Sequence, residues 1–77
     1  MKTAAELIKE LDSGVLDLIS KIGRPGGRKT MNNLSSLLGS AMVVATDQTI
    51  TDVERIDLGR YICLATAVIN AWIRINK

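Results

Sequence analysis

The segment from Gly23 to Thr30 carries the residue types that bind phosphate. It runs Gly-Arg-Pro-Gly-Gly-Arg-Lys-Thr and differs at one position from the phosphate-loop pattern G-x-x-x-x-G-K-[ST], because Arg28 stands where the pattern has its second glycine. That glycine lets backbone amides wrap around a phosphate, and an arginine side chain obstructs the wrapping. A phosphate loop also follows a strand in a large α/β domain, for which this 77-residue chain has no room. We therefore exclude a nucleoside-triphosphatase.

The same segment still predicts an anion-binding loop. Arginine guanidinium groups fork onto phosphate oxygens, and a lysine adds a point charge. The free amides of a following helix N-terminus attract anions as well. The alternative interpretation is a solvated basic turn whose glycines serve only the chain reversal. The predicted anion or ligand site comprises Arg24, Arg28, Lys29 and Thr30, with Asn32, Asn33 and Ser36 on the next turns.

Residues for catalysis or metal binding do not form a recognisable set. The chain has no histidine, so Cys63 lacks the base that activates a nucleophilic thiol, and the usual zinc ligand sets cannot form. Asp12 and Asp17 fall on different sides of a helix, which fits a solvated face better than a catalytic carboxylate pair. We expect no enzymatic activity, no cofactor and no metal.

Hydrophobic periodicity predicts three helices that position these residues. Thr3 and Thr51 each precede a glutamate by three residues, the spacing of a capping box, and Thr30 is the expected cap of the middle helix. The glycine-rich stretch 23–27 ends the first helix. The helices should span about 4–22, 31–46 and 52–75. The predicted fold is all-α, a helical hairpin followed by a long C-terminal helix in a single domain.

The middle helix has an uncharged outer face. No charged residue occurs from Thr30 to Thr46, although a solvent-facing helix normally carries Lys and Glu. Small residues four positions apart allow another helix to approach closely, and the apolar arc of the third helix is wider than one neighbour covers. These features predict a homo-oligomer, most simply a dimer, although a merely polar face is the alternative. The predicted interface comprises Ser35, Ser36, Gly39, Ser40 and Val43 with Ile69, Trp72 and Ile73.

Charge and composition set expectations for partners and location. A net charge of +2 is too small to imply nucleic acid by itself, and Arg55, Arg60 and Arg74 are spread along the third helix among acidic residues. We therefore expect no nucleic-acid partner. The longest uncharged run has 17 residues and contains Ser and Asn, so no membrane span is expected. A single cysteine suggests a reducing compartment, and we expect a cytoplasmic protein.

A compact helical chain with a basic turn that leads into a Ser/Asn-rich helix resembles, in general architecture, phage-encoded proteins that sequester cyclic nucleotides. The resemblance matches no motif residue by residue. It implies a protein that holds a phosphate-bearing ligand, such as a cyclic nucleotide, at residues 23–30. The function that we rank first is a non-enzymatic helical protein-interaction module, of the kind found in phage or mobile-element inhibitors and adaptors, acting as a homo-oligomer. The ligand-sequestering protein is the alternative.

Overall fold

A computed structural model describes residues 2–75, which form three helices and contain no strand. The helices are α1 (Ala4–Ser20), α2 (Gly27–Ala45) and α3 (Asp52–Ile75). Each helix contacts the other two, so the chain forms a three-helix bundle. The predicted all-α class and the number of helices are confirmed.

The first helix begins at the predicted capping residue. Thr3 is extended (φ −76°, ψ 163°), and its hydroxyl accepts a hydrogen bond from the Glu6 amide at 3.2 Å. This bond satisfies one of the amides that a helix N-terminus leaves without a partner. The helix continues through Gly14 and ends at Ser20, two residues before the predicted end.

The second helix begins earlier than the sequence predicts. Its N-cap is Gly26, in the left-handed region at φ +88°, and its first residue is Gly27. The prediction that Thr30 caps this helix is wrong, because Thr30 lies inside the helix and is buried. Gly26 adopts its positive φ without the steric penalty that a Cβ would bring. Because glycine has no side chain, the N-terminus of α2 has no side-chain cap.

The third helix has the predicted bounds and the most complete cap. The Glu54 amide donates to the Thr51 hydroxyl at 3.1 Å, and the Thr51 amide donates to the Glu54 carboxylate at 3.0 Å. This is a reciprocal capping box. The backbone and side-chain hydrogen bonds from Thr51 hold the pKa of Glu54 below its ordinary value, because they favour the ionised carboxylate.

The link between α2 and α3 is fixed by one arginine. Arg55 donates from Nε to the Ala45 carbonyl at 3.1 Å and from Nη2 to the Asp47 carbonyl at 2.9 Å. These bonds satisfy carbonyls where α2 ends. The Asp47 carboxylate accepts bonds from the amide and hydroxyl of Thr49, and these bonds lower the pKa of Asp47. The turn between the two helices is therefore stabilised by Arg55 of α3 and by the hydrogen bonds between Asp47 and Thr49 within the turn.

The core lies along the axis of the bundle and is aliphatic apart from one tryptophan. A chain of 8.3 kDa is expected to leave about 4,600 Å² of accessible surface when folded, whereas the described bundle exposes 5093 Å² and measures 40 × 19 × 15 Å. The elongated bundle thus leaves more surface exposed than a typical monomer of this mass. The buried apolar residues are Ala4, Leu7, Leu11, Val15, Leu18, Leu34, Ala41, Val44, Leu58, Ala65, Ile69 and Trp72.

The third helix has the length and composition of a candidate membrane span. It is long and apolar enough to cross a membrane by length and composition, with a mean hydropathy of 1.3 in its best window. Core helices of soluble proteins, which are mostly buried, meet the same criterion, whereas 22% of this stretch of α3 is buried within the bundle. In the bundle, α3 packs against α1 and α2 through Leu58, Ala65, Ile69 and Trp72.

Candidate functional site

The loop between α1 and α2 reverses the chain through two left-handed glycines. Gly23 has φ +74° and Gly26 has φ +88°, and a Cβ at either position would meet no heavy atom within 4 Å. These positions require glycine because of their backbone angles, which other residues rarely adopt, and not because neighbouring atoms exclude a side chain. The Arg24 amide donates to the Lys21 carbonyl at 3.0 Å, which holds the turn closed.

The three basic residues of the predicted anion loop are exposed. Arg24, Arg28 and Lys29 all lie on the surface, and within residues 2–75 none of them forms an ion pair with an acidic side chain. The guanidinium carbon of Arg28 lies 5.9 Å from the centroid of the Trp72 ring. That distance permits a cation–π interaction, which holds Arg28 against α3.

Thr30, in contrast, is engaged inside the chain. Its hydroxyl accepts a hydrogen bond from Lys21 Nζ at 3.0 Å and lies 3.4 Å from Asp17 Oδ2 and 3.4 Å from the Gly26 carbonyl oxygen. The Lys21 ammonium also lies 3.5 Å from the Asp17 carboxylate. This cluster joins α1 to the first turn of α2, so the Thr30 hydroxyl is engaged by Asp17, Lys21 and Gly26 of the same chain.

The remaining predicted ligand residues lie on two different surfaces. Asn33 and Ser36 line an open groove of about 690 Å³ between α1 and α2, and Thr30, Lys2, Glu10 and Asp17 line it as well. Asn32 is exposed and lies about 100° from Asn33 around the helix. Both carboxylates of the groove are ion-paired, Glu10 with Lys2 and Asp17 with Lys21. The structure thus places Asn33 and Ser36 in this groove and leaves Arg24, Arg28 and Lys29 at the loop.

The groove between α1 and α2 includes residues that the sequence did not single out. Ser13 and Gly14 of α1 form its wall opposite Ser36 and Ser40 of α2. The floor is close-packed, because a Cβ at Gly14 would lie 3.0 Å from Leu34 Cδ1. Small residues at matching positions on two helices give the groove its width. The sequence feature that could have indicated this groove is the presence of small residues on both helices, Ser13 and Gly14 on α1 and Ser36 and Ser40 on α2.

The predicted interface residues of α2 form one exposed surface. Ser35, Ser36, Gly39, Ser40 and Val43 are all exposed. A Cβ at Gly39 would meet no heavy atom within 4 Å, so this glycine is not required by packing within the chain. The side chains of Val43 and its neighbour Met42 are 58% and 54% exposed.

The predicted interface residues of α3 are divided between core and surface. Ile69 and Trp72 are buried within the single chain, with 8% and 6% exposed, whereas Ile73 is 45% exposed. The two neighbours of α3, α1 and α2, cover part of its apolar arc. Of these three residues, Ile73 is the one whose side chain is open to a second chain.

The acidic residues and Cys63 are dispersed over the described part of the chain. Within residues 2–75, no group of three or more His, Cys, Asp or Glu side chains is placed to hold a metal ion. Cys63 is exposed on α3 and is not in a disulfide.

Comparison of the chain with protein-family models, with curated proteins and with solved structures finds no match.

Proposed function

We propose that this chain is a helical protein-interaction module that associates with a second copy through the exposed face of α2. The observation that carries the proposal is the chemistry of that face. It has no charged residue from Thr30 to Thr46, and it exposes Met42 and Val43 beside Ser35, Gly39 and Ser40. The centres of protein interfaces are depleted of charged residues and often contain Met.

The dimensions of the bundle support the same proposal. A standard interface buries about 800 Å² on each partner, which is a modest part of the 5093 Å² that the bundle exposes. A small domain has little core of its own, so association is a common means of adding apolar burial. The exposed small residues of α2 let a second helix approach closely, and a two-fold dimer would place this face against itself.

Replacement of Gly39 by glutamate tests the proposal. Native protein is expected to have twice the 8.3 kDa chain mass in light scattering, and Gly39→Glu is expected to be a monomer, because an unpaired carboxylate buried in the interface costs several kcal/mol. The helix itself should gain about 0.5 kcal/mol of stability from loss of the glycine. A helical circular dichroism spectrum with a cooperative thermal transition therefore distinguishes a folded monomer from a misfolded chain, whereas the midpoint alone also falls on dissociation.

Gly59→Glu is the matched control for this experiment. Gly59 lies in α3, and a Cβ there would also meet no heavy atom within 4 Å, so the two variants share the same helix gain and the same added charge. The Gly59 variant should remain dimeric. A native protein that stays at 8.3 kDa at high concentration would contradict self-association through any surface.

A sequestering protein for a phosphate-bearing ligand is the second candidate. It is supported by the exposure of Arg24, Arg28 and Lys29 beside a helix N-terminus that has no side-chain cap. Calorimetric titration with mono-, di- and cyclic nucleotides is expected to show binding that Arg28→Ala and Lys29→Ala weaken about tenfold or more, because each removes a charge-assisted contact. A ligand recovered unchanged after release would fit sequestration. Absence of heat with every nucleotide would remove this candidate without affecting the dimer.

A further inference from the structure

One end of the bundle combines basic and apolar side chains. We define the loop end as residues 16–30 of α1, the loop and α2, together with residues 72–75 of α3. The tight contact between Gly27 and Trp72 shows that these segments share one end: a Cβ at Gly27 would lie 2.6 Å from Trp72 Nε1. Arg28 lies over the same ring.

The charges of the chain are separated along the bundle. The loop end holds five of the nine basic residues that the structure describes and one of the eight acidic residues, Asp17, which is paired with Lys21. The net charge of +2 for the whole chain conceals this separation. The basic residues of the loop end are Lys21, Arg24, Arg28, Lys29 and Arg74.

Large aliphatic side chains are exposed among these charges. The most exposed are Leu16 at 61% and Ile75 at 59%. Burying such side chains in water-free surroundings is favourable, and a folded monomer gains nothing by exposing several of them at one end. The exposed aliphatic residues of the loop end are Leu16, Ile19, Ile22, Ile73 and Ile75.

We infer that the loop end binds the surface of a bilayer that contains anionic lipids. Basic side chains are attracted to anionic headgroups, and aliphatic side chains among them insert at the boundary with the acyl chains. A nucleic acid would satisfy the basic residues and leave the isoleucines in water. A second loop end carries the same charge and is repelled. The inference concerns a different surface from the face of α2 and holds for monomer or dimer.

Binding to lipid vesicles tests the inference. Native protein should co-sediment with vesicles of phosphatidylserine and phosphatidylcholine and remain in solution with phosphatidylcholine alone. Binding should weaken as salt is raised, because surface charges are screened. Inorganic phosphate at the same ionic strength should not displace the protein, because a free phosphate offers no apolar phase to the isoleucines.

Paired variants test the two components separately. Arg24→Gln with Lys29→Gln should weaken the partition coefficient about 25-fold, or about fivefold for each basic residue. Lys9→Gln with Arg60→Gln removes two exposed basic residues away from the loop end and should have little effect.

The apolar component has a closely matched pair of positions. Ile75 and Ile56 lie at opposite ends of α3, and each is 59% exposed. Ile75→Gln should reduce vesicle binding severalfold, and Ile56→Gln should not. Neither side chain belongs to the core, so both variants should fold.

The single tryptophan reports the orientation of the bound protein. Brominated acyl chains should quench Trp72 fluorescence, since Trp72 lies at the loop end of a bundle 40 Å long. Absence of binding to anionic vesicles would overturn the inference. Binding that ignores salt and the Arg24 and Lys29 substitutions would also overturn it, as would binding to duplex DNA but not to vesicles.

Discussion

Replacement of Leu34 by alanine is expected to lower the free energy of unfolding by about 2–5 kcal/mol. Leu34 is 1% exposed and lies in α2 against α1, where its Cδ1 approaches the backbone of Gly14. The cost combines lost burial of the methyl groups with the cavity that remains. A 77-residue chain has a total stability of about 4–11 kcal/mol, so this one change removes a large part of it. Urea unfolding followed by circular dichroism measures the loss.

An exposed leucine supplies the control for this prediction. Leu16 of α1 is 61% exposed, and Leu16→Ala should change the free energy of unfolding by about 0.5 kcal/mol or less. Equal losses for Leu34→Ala and Leu16→Ala would show that the described core is wrong.

The contact between Leu34 and Gly14 predicts that substitutions at these two positions have non-additive effects on the free energy of unfolding. In the native chain a Cβ at position 14 would lie 3.0 Å from Leu34 Cδ1, which offsets the gain of about 1 kcal/mol that alanine offers over glycine in a helix. With Leu34→Ala the contact is absent, so Gly14→Ala should recover about 1 kcal/mol. A double-mutant cycle with no coupling energy would contradict this packing of α1 on α2.

The sequence predicted the helices best where the caps are local. The starts of α3 and α1 agree with prediction, because Thr51 with Glu54, and Thr3 with the Glu6 amide, satisfy helix amides with side chains a few residues away. Such interactions can be recognised from spacing alone. The all-α class followed from the same periodicity.

The start of α2 could not be predicted in this way. The sequence offered Thr30 as a side-chain cap, but the helix begins at Gly27 with a left-handed glycine before it. Gly27 is covered in the fold by Trp72, which lies far along the chain. A residue without a side chain gives no local signal of such a contact.

The candidate site was predicted only as a set of residue types. Helical spacing indicates that Asn32 and Asn33 lie on different sides of α2, but it does not say on which side α1 packs. The arrangement of the bundle decides that Asn33 lines the groove between α1 and α2, whereas Arg28 lies over α3. For the same reason, the sequence alone does not show which apolar residues of α3 pack against α1 and α2 and which remain exposed to a second chain.

The contact between α2 and α3 predicts opposite effects for two Gly→Ala substitutions. A Cβ at Gly27 would lie 2.6, 3.1 and 3.2 Å from three atoms of the Trp72 indole, whereas a Cβ at Gly39 would meet no heavy atom within 4 Å. The indole is rigid and 6% exposed, so it cannot move aside cheaply. Gly27→Ala should therefore lower the free energy of unfolding by about 1–3 kcal/mol through overpacking.

Gly39→Ala should instead raise the free energy of unfolding of the monomer by about 0.5–1 kcal/mol, because alanine favours helix and nothing within the single chain opposes its methyl group. The comparison is made at protein concentrations low enough for the chain to be monomeric. Urea unfolding monitored by Trp72 fluorescence measures both variants, and Gly27→Ala should also shift the native emission, since the displaced ring is the only tryptophan. A Gly27→Ala protein more stable than native would show that the indole does not cover Gly27. The start of α2 would then have no tertiary cause, and the placement of Arg28 over the ring would fail with it.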